Sequence, residues 1–171
     1  YFDGLGRPVQ QNQIKRMPAE KDLVTHIEYT LNGNRIKDFL PVPIAGLSGG
    51  FASDALNTTL NYYNVPSFDY TKNPYSEKLL EKVPGGKVLA QGAPGNDWNV
   101  NNTSNNHAMK FDYRVNRQED AVKKYVVSTN YHELFKFYEN NIAFSGVYPE
   151  NELYKIITKN ENWVSGKDNT T

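Results

Sequence analysis

An all-β chain, built from antiparallel hairpins with long irregular loops, is the fold class this sequence predicts. Three observations carry that expectation. Apolar and polar residues alternate at period two in several short runs. Gly, Pro and Asn, which supply turn dihedrals, bound most of those runs. The aromatic share of 13% is high beside a hydrophobic share of only 38%, which suits half-buried strands better than a thick helical core.

Taken in order, Tyr1-Phe2 and Pro8-Val9-Gln10 flank a turn at Asp3-Gly-Leu-Gly-Arg7 and predict a hairpin. Val24 to Tyr29 and Arg35 to Leu40 predict two further strands about a second turn containing Gly33. Lys87 to Gln91 predicts the next. The clearest alternation is Met109 to Val115, which puts Met109, Phe111, Tyr113 and Val115 on an inward face and Lys110, Asp112 and Arg114 on the outward one. Val122 to Thr129 and Leu153 to Thr158 complete the set. Helix signals are short: Asp54 to Asn57 and Tyr131 to Tyr138 each suit a turn or two. Ala45 to Asn73 and Gly92 to Asn106, rich in Gly, Pro and Asn, predict long loops lying over the sheet.

With 171 residues the chain suits a single domain spanning 1–171. It opens on Tyr1, with neither an initiator Met nor a leader pattern, so it is expected to be a piece of a longer protein. Its 19 basic and 19 acidic residues cancel, which argues against a nucleic-acid or anionic-membrane partner. Cys is absent, so disulfides and thiolate metal sites are excluded while the compartment stays open. No apolar run approaches the ~20 residues of a membrane-spanning helix, and membrane insertion is not expected.

In the opening turn Asp3 begins the reversal, Gly4 and Gly6 are placed to take positive φ, and Arg7 lies across from Asp3. A looser copy follows at Glu28 to Pro41, with Gly33 and Arg35, about 27 residues on. In that copy Thr30 stands for the Asp and Asn34 reads as an insertion before Arg35, which predicts a turn of different length without an acid–Arg pair.

The segment Tyr-Phe-Asp-Gly-Leu-Gly-Arg-Pro-Val-Gln resembles the tyrosine-aspartate (YD) repeat of RHS-type proteins. The order of Lys21-Asp-Leu-Val24, Phe39-Leu-Pro41, Gln91-Gly-Ala-Pro-Gly-Asn-Asp-Trp98, Lys110-Phe-Asp-Tyr113 and Glu152 to Trp163 is similar to the domain of unknown function that precedes YD repeats in large surface or secreted proteins of Bacteroidota. The resemblance implies a non-enzymatic structural segment that starts or caps a β-sheet shell, with the rest of its own chain as partner. It also implies a cell-surface or secreted location and, through the type IX route, secretion-system components as partners.

Candidate chemistry is sparse. His26, His107 and His132 are isolated, with no His-x-x-x-His spacing for a metal. Ser48 and Ser145 lack a nucleophile elbow, and Gly46-Leu-Ser-Gly-Gly lacks the Lys-Ser/Thr of a phosphate loop. Glu119-Asp120 is an adjacent pair, not a facing one. No catalysis, metal or cofactor is therefore expected, and the site residues are structural: Asp3, Gly4, Gly6, Arg7, Gly33 and Arg35. The alternative reading is a glycan- or protein-binding module using Trp98, Trp163, Tyr62 and Tyr63, with Tyr70, Tyr75 and Tyr148, as loop aromatics. Asn57, Asn101, Asn102 and Asn169 fit the glycosylation acceptor pattern, which an Asn-rich chain meets by chance.

Overall fold

A computed structural model describes residues 1–83, 85–101 and 107–164. Among the described residues there are ten strands and one α-helix, and every pairing with a defined register is antiparallel, so the chain is all-β with loops. The chain divides into two compact units, Tyr1–Phe111 with Thr158–Thr171, and Asp112–Ile157.

The first unit begins with a three-stranded sheet in the order β1-β2-β4, where β1 is Gln10–Met17, β2 is Lys21–His26 and β4 is Val42–Ile44. Val24 of β2 pairs directly with Val42 of β4, and both are fully buried. Ala55 of helix α1, Ala55–Tyr63, closes over them, with Ile44, Leu47 and Ala52 around the rim. Each valine contributes about 1.5–3 kcal/mol by leaving water. The helix runs well past the predicted Asp54 to Asn57. Thr58, Thr59 and two Asn, Asn57 and Asn61, are poor helix formers, and what holds them is tertiary: Thr59 is buried and its hydroxyl donates to the carbonyl of Ala55 at 2.8 Å.

A five-stranded sheet follows in the order β10-β7-β6-β5-β3, from β3 (Lys37–Phe39), β5 (Tyr75–Leu80), β6 (Val88–Gly92), β7 (Met109–Val115) and β10 (Tyr154–Lys159). Its core in the first unit is small, Ala90, Val100 and Ala108, and Phe39 is buried between the rings of His26 and Tyr75. Strands β3, β6, β7 and β10 fall on predicted runs, β7 with the predicted bounds, while β5 corresponds to no predicted run: Tyr-Ser-Glu-Lys-Leu-Leu does not alternate, and its place comes from pairing with β3 and β6. The predicted contrast between its faces is not present: Met109 and Val115 are exposed, while Phe111, Asp112 and Tyr113 are all half-buried.

The second unit is dominated by a two-stranded sheet, β8 (Lys123–His132) with β9 (Phe137–Val147). The stretch Tyr131 to Tyr138, with helical features in sequence, is the tip of this hairpin, and Lys136 turns the chain with φ +52°. Glu119 and Asp120 lie in a short 3-10 turn, Gln118–Asp120. There Asp120 accepts the backbone N–H of Arg117 and pairs with Lys155, which holds its carboxyl below the usual range, the Lys155 contact being the larger cause. Asn116, buried, donates to Pro149 O at 2.7 Å and accepts from Leu153 N at 2.7 Å, pinning the two ends of the hairpin's stem.

Candidate functional site

The opening turn forms as a closed hairpin tip. Asp3 N donates to Arg7 O at 2.9 Å, Gly6 N donates to Asp3 O at 3.0 Å, and Phe2 bridges Pro8. The Asp3 carboxylate accepts three more bonds: from Leu5 N and Arg7 N at 2.9 Å, and from Arg7 Nε at 2.8 Å. The Arg7 backbone N–H is the largest cause holding this carboxyl below its ordinary value, helped by the Arg7 side chain and Leu5 N–H. Gly6 has φ +74°, a conformation a Cβ disfavours. Gly4 lies outside the left-handed region and has open space around it, so only one of the two predicted glycines is required by backbone geometry.

The second turn repeats the two backbone hydrogen bonds that close the first. Thr30 N donates to Asn34 O at 2.9 Å, Gly33 N donates to Thr30 O at 2.8 Å, and Gly33 has φ +77°. Thr30 Oγ1 accepts Asn34 N at 3.1 Å, taking the place of the Asp3 carboxylate. Asn34 is therefore not an insertion: it occupies the position of Arg7, and the two turns have the same length. Arg35 lies outside the turn and pairs instead with Asp38 at 2.7 Å. The acid–Arg pair is absent from this turn, as Thr30 predicts.

The first turn reaches the second. Arg7, while paired with Asp3, places its guanidinium 4.4 Å from the ring centroid of Tyr29, and Tyr29 OH donates to Pro8 O at 3.0 Å. Arg7 Nη1 also lies 3.5 Å from where a Cβ on Gly33 would stand. Phe2 and Tyr29, Asp3 and Thr30, Gly6 and Gly33, and Arg7 and Asn34 thus share one spacing, and the first copy's arginine clasps the second copy's aromatic.

A loop latch holds the sheet below. Buried Asp22 accepts Gly49 N at 2.6 Å and Lys15 N at 2.8 Å, Tyr1 OH donates to Gly49 O at 2.6 Å, and Asn12 donates to Gly50 O at 2.6 Å. The Ser48-Gly49-Gly50 segment is accordingly a docked loop, and Lys15 sits in a bulge of β1 with φ +50°.

The aromatics considered for binding fall into three groupings. Tyr62 and Tyr63 lie on α1, not in a loop, and pack on each other and on Phe68. Trp98 lies against His107 at 5.4 Å between ring centroids, beside a cavity of about 280 Å³ also lined by Pro94, Met109 and Glu161. Trp163 lies under Lys159 Nζ at 3.9 Å. Tyr70 is exposed, Tyr75 begins β5, and Tyr148 lies under Lys124 Nζ at 5.4 Å.

The three histidines stand apart. His26 is near Glu28, His107 Nδ1 is 3.0 Å from Glu161 O, and His132 stacks on Phe137. Among the described residues no group of three His, Asp or Glu could hold a metal ion, and no helix is long and apolar enough to cross a membrane. Of the acceptor-pattern asparagines, Asn57 on α1 donates its side-chain amide to the Asp54 carboxylate at 2.6 Å, Asn101 lies in a turn, and Asn102 and Asn169 are outside the described residues.

The family described as Domain of unknown function (DUF6443) matches residues 1–115. The chain belongs to this family. Both turns, the Asp22 latch and the Trp98 cavity's strands β5, β6 and β7 fall within the DUF6443 match, which ends on the last residue of β7; the β8–β9 hairpin falls beyond it. No curated relative and no solved structure matches the chain. Tyr29, Asn34 and Asp22 are the residues of the DUF6443 region that sequence reasoning missed. Aligning the copies on Gly6 and Gly33 would have found the first two. Asp22 carried no signal, since its partners are backbone groups.

Proposed function

We propose that this chain is a non-enzymatic structural segment, in which two tyrosine-aspartate-type hairpin turns form one clasped repeat unit at the start or cap of a β-shell. The observation that carries this reading is the shared backbone pattern of the two turns joined by Arg7 over Tyr29. A repeat unit cannot bury its own faces and is stabilised by its neighbour, and here the neighbour contact is made by a residue of the motif itself. Placement in an RHS/YD-repeat surface or secreted protein of Bacteroidota, with the rest of that chain and secretion components as partners, extends this reading from the sequence resemblance.

The reading is tested by hydrogen exchange in a Tyr29→Leu variant. If the turns are one unit, the amides of Asp3 and Gly6 in the first turn exchange faster although the substitution lies in the second. Unchanged exchange there would leave two unrelated turns and remove the repeat reading.

A second reading, a binding module at Trp98, is favoured by one observation: the indole is partly exposed beside the cavity that His107 and Met109 also line. Titration with a glycan panel followed by tryptophan fluorescence separates it from the structural reading, with Trp98→Ala as the control.

A further inference from the structure

The β8–β9 hairpin carries an apolar face that no element of its own unit covers. The register sets Tyr125 opposite Phe144, Val127 opposite Ile142, Thr129 opposite Asn140 and Tyr131 opposite Tyr138, so these eight side chains share one side of the ribbon. The other side holds Val126 with Ala143, Ser128 with Asn141, Asn130 with Glu139 and His132 with Phe137. No charged residue occupies the first face between its two end pairs. Thr129 and Asn140, its only polar non-aromatic members, bond to each other at 2.8 Å. The six large side chains remain 43% to 70% exposed.

We propose that this face seats the same face of a second copy of this chain, giving a two-fold dimer. Three arguments select that occupant. A two-stranded hairpin alone is marginal in water and needs a further layer. The eight residues of the face carry no charge, so packing them on themselves buries no like charges, and a two-fold axis between the second and third cross-strand pairs lays Tyr125 and Phe144 of one copy on Tyr131 and Tyr138 of the other. Its size also fits: with aromatic side chains at roughly 150–250 Å² each, the exposed part of the face is on the order of 600–700 Å² per copy, close to the ~800 Å² per partner of stable complexes. The proposal does not depend on the repeat reading above.

The test is sedimentation equilibrium of the 171-residue chain from about 1 to 200 μM, with Ile142→Lys on the apolar face and Ser128→Lys on the opposite one. Both positions are exposed, and far-UV circular dichroism checks that each variant keeps its strands. The proposal expects a monomer–dimer equilibrium in the parent and in Ser128→Lys, with the dissociation constant raised at least 10-fold in Ile142→Lys. A parent that stays monomeric throughout, an open-ended series of larger species, or an equal effect of both variants would each overturn it.

Discussion

The guanidinium of Arg7 lies 4.4 Å from the ring centroid of Tyr29 while its other edge holds the carboxylate of Asp3 at 2.8 Å. One side chain therefore closes its own turn and grips the next. An Arg at this position presents a planar, delocalised cation to both partners, and a lysine could not satisfy both geometries. Arg7→Lys should preserve the net charge yet lose most of the coupling measured in a double-mutant cycle with Tyr29→Leu; a coupling as large as in the parent would contradict this.

Glycine is required at Gly6 and tolerated at Gly4. With φ +74° and open space around it, Gly6→Val should cost about 1–2 kcal/mol or more through backbone strain alone. Gly4→Ala, at a position outside that region, should leave the urea midpoint unchanged or slightly raised. Equal losses would show that packing, not φ, selects glycine in this turn.

The second turn should accept the motif it lacks. Because Thr30 and Asn34 stand where Asp3 and Arg7 stand, the double variant Thr30→Asp with Asn34→Arg should recreate the ion pair and stabilise by about 0.2–1 kcal/mol, with neither single change sufficient. A destabilised double variant would mean that the backbone match does not extend to side-chain geometry.

Much of the fold was legible because β7 alternates at every position and β6 and β10 lie between Gly or Asn residues. What escaped did so for physical reasons. In β9 the run Glu139-Asn-Asn and the pair Ser145-Gly break the alternation, and its register comes from pairing with β8. Helix α1 is held by the burial of Ala55 and Thr59 against β2 and β4, which no local propensity reports. The two turns were visible as motifs, but an arginine at the adjacent position, Arg35, obscures the equivalence of Asn34 with Arg7, which alignment on the two glycines suggests and the hydrogen bonds establish.

Acid should weaken the loop latch. Gly49 N–H, then Lys15 N–H, hold the Asp22 carboxyl below its ordinary value of 3.8. A depressed folded value means that the stabilisation is complete above the unfolded value and is lost as pH falls through the lower, folded one. Urea midpoints should therefore be flat from about pH 7 to 5 and fall below about pH 4, and Asp22→Asn should lower the pH 7 midpoint while flattening the acid limb. An unchanged acid limb in that variant would place the acid sensitivity elsewhere.

Asn116 should be the most sensitive polar position of the second unit. Its amide satisfies Pro149 O and Leu153 N, and Asn116→Ala leaves both without that partner, a loss of about 2–3 kcal/mol. A loss below about 0.5 kcal/mol would show that water replaces the amide.

The clasp itself is tested most directly by hydrogen exchange at Gly33 and Asn34 in an Arg7→Ala variant. Those two amides donate within the second turn and make no bond to Arg7, so a change at them reports the loss of Arg7 from its place beside Tyr29 and Gly33. Both should exchange several-fold faster than in the parent, while amides of β8 and β9 keep their rates. Parent-like rates at Gly33 and Asn34, with acceleration confined to residues 3–7, would contradict it.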